Sequence, residues 1–162
     1  MTSAPDTNDT KSCEVVITRD INAPAHLLFL AYSRADYVKQ WFGPKGWPLS
    51  ICEIDFRVGG RFRFAMTGPD GREGPPFGGE YLEIVPDRKI VYDNGFEGAD
   101  KMLVTITYEP LGQRKTRLII HTLFPTIEMY EQHVGYGYAE GIESGMEQFI
   151  AFVAGLEAES ER

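Results

Sequence analysis

Between Leu49 and Phe124 the chain falls into six short runs of alternating apolar and polar residues. They are LSICEIDF, RFRFAM, FGGEYLEIV, KIVYDNGF, KMLVTITYE and KTRLIIHTLF. A period of two marks a strand with one buried face. The runs are separated by VGG, GPDGREGPP, VPDRK, NGFEGAD and PLGQR, all rich in residues that close tight turns. In the second run Phe62, Phe64 and Met66 share one face, and Arg61, Arg63 and Ala65 the other. In the fifth, Val104, Ile106 and Tyr108 oppose Thr105, Thr107 and Glu109. The pattern predicts an antiparallel meander with one dry face and one wet face.

A dry face needs a cover, and the cover is TIEMYEQHVGYGYAEGIESGMEQFIAFVAGL. At about 100° per residue, Val134, Tyr138, Ile142, Gly145, Phe149, Phe152, Val153 and Leu156 gather on one arc, with Glu140, Glu143, Ser144 and Glu147 opposite. One long amphipathic helix is predicted. Upstream, the β-branched CEVVITRDI reads as a further strand, and Pro24 suits the first position of a helix over APAHLLFLAYS. Ser33 with Asp36 three residues on predicts a capping box for a second short helix, RADYVKQWF. Gly43 and Pro44 stop it, which leaves Trp41 and Phe42 on a helix end and Trp47 on the loop that re-enters the sheet. With 162 residues, 43% of them hydrophobic, the chain predicts a single domain over 13–157. Residues 1–12 read as a disordered polar tail and 158–162 as a polar C-terminal tail.

The final helix carries an oddity: Gly137, Gly141 and Gly145 stand four apart. Glycine inside a helix costs about 1 kcal/mol relative to alanine, so each position calls for a reason. One reason is close approach, of helix to sheet or of helix to helix in a homodimer. The other is room: small residues at the start of the helix and bulk from Phe149 to Leu156 would leave a wedge-shaped gap for a ligand.

A formal charge of −8 speaks against nucleic acid and anionic membrane surfaces as partners. Arg57, Arg61 and Arg63 read as solvated outward residues, because the last two alternate with Phe62 and Phe64. No run is apolar over 18 residues, so membrane insertion is not expected. Two cysteines without a CxxC, and an N-terminus with neither basic nor apolar signal regions, point to the cytoplasm and free thiols. His26, His121 and His133 show no metal-ligand spacing, and no cofactor motif is present; GYGYAEG has Glu140 where a third glycine is required. Neither metal nor cofactor is expected.

APAHLLFLAYSRADYVKQWFGPKGW, EIDFRVGGRFRFAM, GGEYLEIVPDRKIVY and GYAEGIESGMEQF resemble the START/Bet v 1-like (SRPBCC) superfamily. The resemblance is to the group of the C-terminal domain of the activator of heat-shock-protein-90 ATPase. It covers Arg19 to about Phe152, and Tyr138 stands where that group often has tryptophan. It implies a helix-grip α+β fold: a curved antiparallel sheet of about seven strands, two short helices, and a long C-terminal helix over an apolar cavity. It also implies three kinds of activity: binding of lipids and other hydrophobic molecules, cyclase-type catalysis, or contact with a chaperone. The activator has two domains and this stretch matches one, which makes chaperone contact the weaker expectation.

The expected function is therefore binding of a small hydrophobic, partly aromatic molecule as carrier, sensor or scavenger. The candidate cavity residues are Phe62, Phe64, Met66, Tyr92, Ile106, Tyr108 and Ile120 from the strands. Tyr138, Gly141, Ile142 and Gly145 would come from the helix, and Trp41, Phe42 and Trp47 from the mouth or its plug. The alternative is a cyclase- or hydrolase-type enzyme in the same cavity, working by general acid–base chemistry. Its candidates are Tyr92, Tyr108, Tyr138 and Glu83, with Tyr81 on the face of Glu83; no catalytic motif is visible.

Overall fold

A computed structural model describes residues 13–160. The disordered tail expected over residues 1–12 lies outside them. The chain opens with strand β1 (Glu14–Ile21), followed by helices α1 (Ala25–Ala31) and α2 (Ala35–Trp41). Six strands come next: β2 (Leu49–Ile54), β3 (Arg61–Met66), β4 (Phe77–Val85), β5 (Lys89–Phe96), β6 (Met102–Gly112) and β7 (Lys115–Leu123). Helices α3 (Ile127–Gly135) and α4 (Tyr138–Ser160) close the chain. The strands form one curved antiparallel sheet in the order β1-β7-β6-β5-β4-β3-β2, so every turn in the six-run segment joins neighbours. β1 reaches its place by pairing with β7, Ile17 opposite Ile120.

Register fixes the dry face. Ile90, Ile106 and Ile120 lie side by side across β5, β6 and β7, and Tyr92, Val104 and Thr122 form the next row. Tyr108, Leu118, Phe149 and Val153 are almost wholly buried, so the second half of α4 packs tightly over the sheet. α1 adds Leu27, Leu28 and Ala31 to the same core.

Local chemistry departs from the sequence expectations at four points. Pro24 caps α1 rather than occupying its first position. Ser33 does not cap α2: its hydroxyl donates to the Leu30 carbonyl at the end of α1, while Arg34 holds the cap position and pairs with Asp36. The expected single C-terminal helix is two, because Gly137 turns left-handed at φ +88 and breaks the ladder after Tyr136. Val134, placed on the buried arc, is consequently 40% exposed, and α3 has no buried residue. Finally, β4 carries a bulge between Tyr81 and Glu83. The extra residue keeps Tyr81 inward and turns Glu83 out to a 3.1 Å ion pair with Lys89. At the far end α4 runs through Ala158 and Glu159 to Ser160.

Candidate functional site

At Gly145 α4 closely approaches the loop that follows α2. A Cβ there would lie 2.7 Å from the Gly43 carbonyl oxygen, inside any real contact. Beside it, Gln148 Nε2 donates to the carbonyls of Trp41 and Gly43, at 3.2 and 2.9 Å. The helix is thus clamped onto the end of α2 from Gly145 onward. Beside that clamp, between α4 and the sheet, lies a cavity of about 460 Å³.

The register rows describe its floor. Ile106 and Ile120 stand opposite each other, then Tyr92 opposite Val104, then Asn94 opposite Met102. Tyr138, Gly141, Ile142, Met146 and Phe149 roof it from α4. Tyr32, Trp41 and Phe42 form one wall, tied together by ring contacts: Trp41 lies 4.8 Å from Tyr32 and 4.7 Å from Phe149. The indole N–H of Trp41 is occupied, donating to the Ala31 carbonyl at 3.0 Å, so this tryptophan is at once core plug and cavity wall. Trp47, Phe96 and Tyr136 line the cavity and are also exposed, Tyr136 to 87%, so they mark its mouth.

Of the sequence candidates, Trp41, Phe42, Trp47, Met66, Tyr92 and Ile106 line this cavity, as do Ile120, Tyr138, Gly141, Ile142 and Gly145. Three do not. Phe62 and Phe64 sit one layer away, on a small adjoining void of about 30 Å³ behind Phe42 and Phe77. Tyr108 is fully buried between Phe29 and Tyr32, its hydroxyl unpartnered among the described residues, and it is not part of the cavity lining. The room-making role expected of Gly145 is also corrected, since that glycine permits contact with Gly43. Gly141 is the one with space, its added Cβ meeting Pro44 only at 3.6 Å.

Not among the sequence candidates are Tyr32, Phe77, Asn94, Phe96, Met102, Val104, Tyr136, Met146 and Phe149, nor His133, all of which line the cavity. Asn94 shares inward parity with Ile90 and Tyr92, a usable signal. His133 reaches the cavity only because the chain breaks at Gly137. Its Nδ1 bonds to the Met129 carbonyl at 2.9 Å, and its ring packs against Phe124 and Tyr138.

The electrostatics are those of a dry space. Among the described residues, no Asp, Glu, Lys or Arg lines the cavity. Burial raises the pKa of the Tyr32 and Tyr92 phenols well above the ordinary value, and neighbouring phenols add to the effect. Tyr138 is raised by burial too, against an opposing hydrogen bond of 2.9 Å with the Thr122 hydroxyl. Glu83 points away from the cavity and Tyr108 is sealed off, so the acid–base set expected for the enzyme alternative is not assembled there. Among the described residues no three His, Cys, Asp or Glu side chains come together as a metal site, and no helix is long and apolar enough to cross a membrane.

Residues 22–154 match the family described as activator of Hsp90 ATPase homolog 1-like protein. Solved structures share the fold. A protein from Nitrosomonas europaea is 24% identical, with a TM-score of 0.82 over 91% of this chain and 97% of its own. One from Arthrobacter aurescens is 25% identical, with a TM-score of 0.81 over 90% and 88%. A third, from Silicibacter pomeroyi and named for the same family, is 21% identical, with a TM-score of 0.71 over 87% and 97%. No curated protein matches the chain.

Proposed function

The chain belongs to the activator of Hsp90 ATPase homolog 1-like family, and from that premise we propose that it binds a small hydrophobic, partly aromatic molecule in the cavity under the first turns of α4. The supporting observation is the cavity itself: about 460 Å³, walled mainly by aromatic and aliphatic side chains and, among the described residues, by no Asp, Glu, Lys or Arg. Sites for small molecules are typically of this size and character. Two free cysteines, Cys13 and Cys52, suit a carrier, sensor or scavenger working in the cytoplasm.

The expected affinity follows from area. If about 300 Å² of ligand and a like area of wall leave water, the gross gain is about 15 kcal/mol at 25 cal/mol per Å². Association costs consume roughly half of that, leaving micromolar binding.

The test uses N-phenyl-1-naphthylamine, an uncharged probe that fluoresces in apolar surroundings. It should bind the protein with a micromolar Kd. Ile142→Trp, which fills the cavity from the roof, should weaken it at least about tenfold without lowering the thermal midpoint. Equal binding by parent and variant would place the probe elsewhere and defeat the reading.

A further inference from the structure

Asn94 is a polar side chain of the cavity wall with a buried acceptor that the described fold leaves unused. It stands on β5 with inward parity, opposite Met102. Its Oδ1 is withheld from solvent and finds no hydrogen-bond partner among the described residues. The residue before it shows the contrast: Asp93, facing outward, accepts the Glu80 amide at 2.9 Å and so has a structural task. A buried, unpaired acceptor is unfavourable by roughly 1–3 kcal/mol, and leucine, of like shape, would avoid that. Asn94 borders both the main cavity and the small void behind Phe42, so a guest lying against the floor reaches its amide.

The rest of the lining limits what that guest is. With no Asp, Glu, Lys or Arg around it, the cavity offers nothing to pair with an ionised group, and an unpaired charge is far costlier to bury than a neutral polar group. His133 is the lining imidazole, already bound through Nδ1 to the Met129 carbonyl. We infer that the ligand is an uncharged, flat molecule carrying one hydrogen-bond donor, a hydroxyl or N–H, which it gives to Oδ1 of Asn94. This rests on the cavity being a binding site; it adds that ionised fatty acids and amines are excluded and that Asn94 selects among neutral guests.

Four probes of one ring system separate the two claims: naphthalene, 2-naphthol, 2-methoxynaphthalene and 2-naphthoate, titrated calorimetrically at pH 8, where the carboxylate is ionised and 2-naphthol is not. The parent should bind 2-naphthol about tenfold more tightly than naphthalene or the methoxy compound, as one satisfied buried acceptor predicts. It should bind 2-naphthoate at least about 100-fold more weakly than 2-naphthol. Asn94→Leu should keep its affinity for naphthalene, lose the preference for 2-naphthol to within about twofold, and melt no lower than the parent. Asn94→Ala serves as the second variant and should lose the preference likewise. A preference that survives both variants overturns the role of Asn94, and 2-naphthoate bound as tightly as 2-naphthol overturns the uncharged class. Failure of naphthalene and 2-naphthol alike to bind would instead remove the cavity reading on which this one stands.

Discussion

Two glycines one turn apart on α4 do opposite things, and nothing in their spacing tells them apart. Gly145 meets the backbone oxygen of Gly43, which cannot swing aside, whereas a Cβ on Gly141 would touch Pro44 at an ordinary 3.6 Å. Gly145→Ala should therefore destabilise the fold by about 1–3 kcal/mol, since either the helix or the loop must retreat. Gly141→Ala should stabilise it by up to about 1 kcal/mol through helix propensity alone. Chemical denaturation of the two variants checks the pair, and equal effects would refute the clamp at Gly145. The sequence shows that both positions are small; only the fold presses a backbone oxygen from about 100 residues away against one of them and leaves a methyl's room at the other. Trp41 and Phe42 were legible because a helix end, a glycine and a proline placed them locally. Glu83 was not, because one extra residue in β4 reversed its face.

At the scale of elements, the alternating runs stated their own boundaries well: β3, β4 and β5 coincide with RFRFAM, FGGEYLEIV and KIVYDNGF. Period two with short turns leaves little freedom in pairing. The C-terminal segment was harder to read. Val134 and Tyr138 are four apart, so a helical period passes across the break as if nothing were there, and only GYG hinted at Gly137. The result is a short helix, α3, that has no buried residue and is held at its start by Thr126, whose side chain accepts from the Met129 amide at 3.1 Å. Removing that cap with Thr126→Ala should cost about 1 kcal/mol locally. Because α3 contributes little core, the effect should appear as roughly fivefold faster amide exchange across Ile127–Gly135, with exchange in β6 and β7 unchanged. Uniform acceleration throughout the protein would show instead that α3 unfolds only with the whole.

For the molecule as a whole, the ion pairs on the outer face, such as Arg63 with Glu97 and Arg117 with Asp20, are exposed and add little. What distinguishes this core is the number of phenols it holds. Tyr32, Tyr81, Tyr92, Tyr108 and Tyr138 all have their ionisation pushed upward, burial being the main cause in each. The direction of the consequence is fixed by linkage. An unfolded chain releases these protons near pH 10, while the folded state retains them to higher pH, so the stabilisation is whole below pH 10 and is lost as pH rises beyond it. Each such tyrosine adds about 1.4 kcal/mol per pH unit to the loss, which makes the decline steep once several act together. The thermal midpoint should be nearly flat from pH 7 to 9 and collapse above 10. Phenolate absorbance from the five should rise only as the circular dichroism of the sheet disappears, and Tyr92→Phe should soften the pH dependence. Smooth ionisation of all eight tyrosines near pH 10 in a protein that keeps its strands would mean that water reaches the cavity floor freely. A wet floor would also weaken the case for a hydrophobic guest, so alkaline titration bears on function as well as on stability.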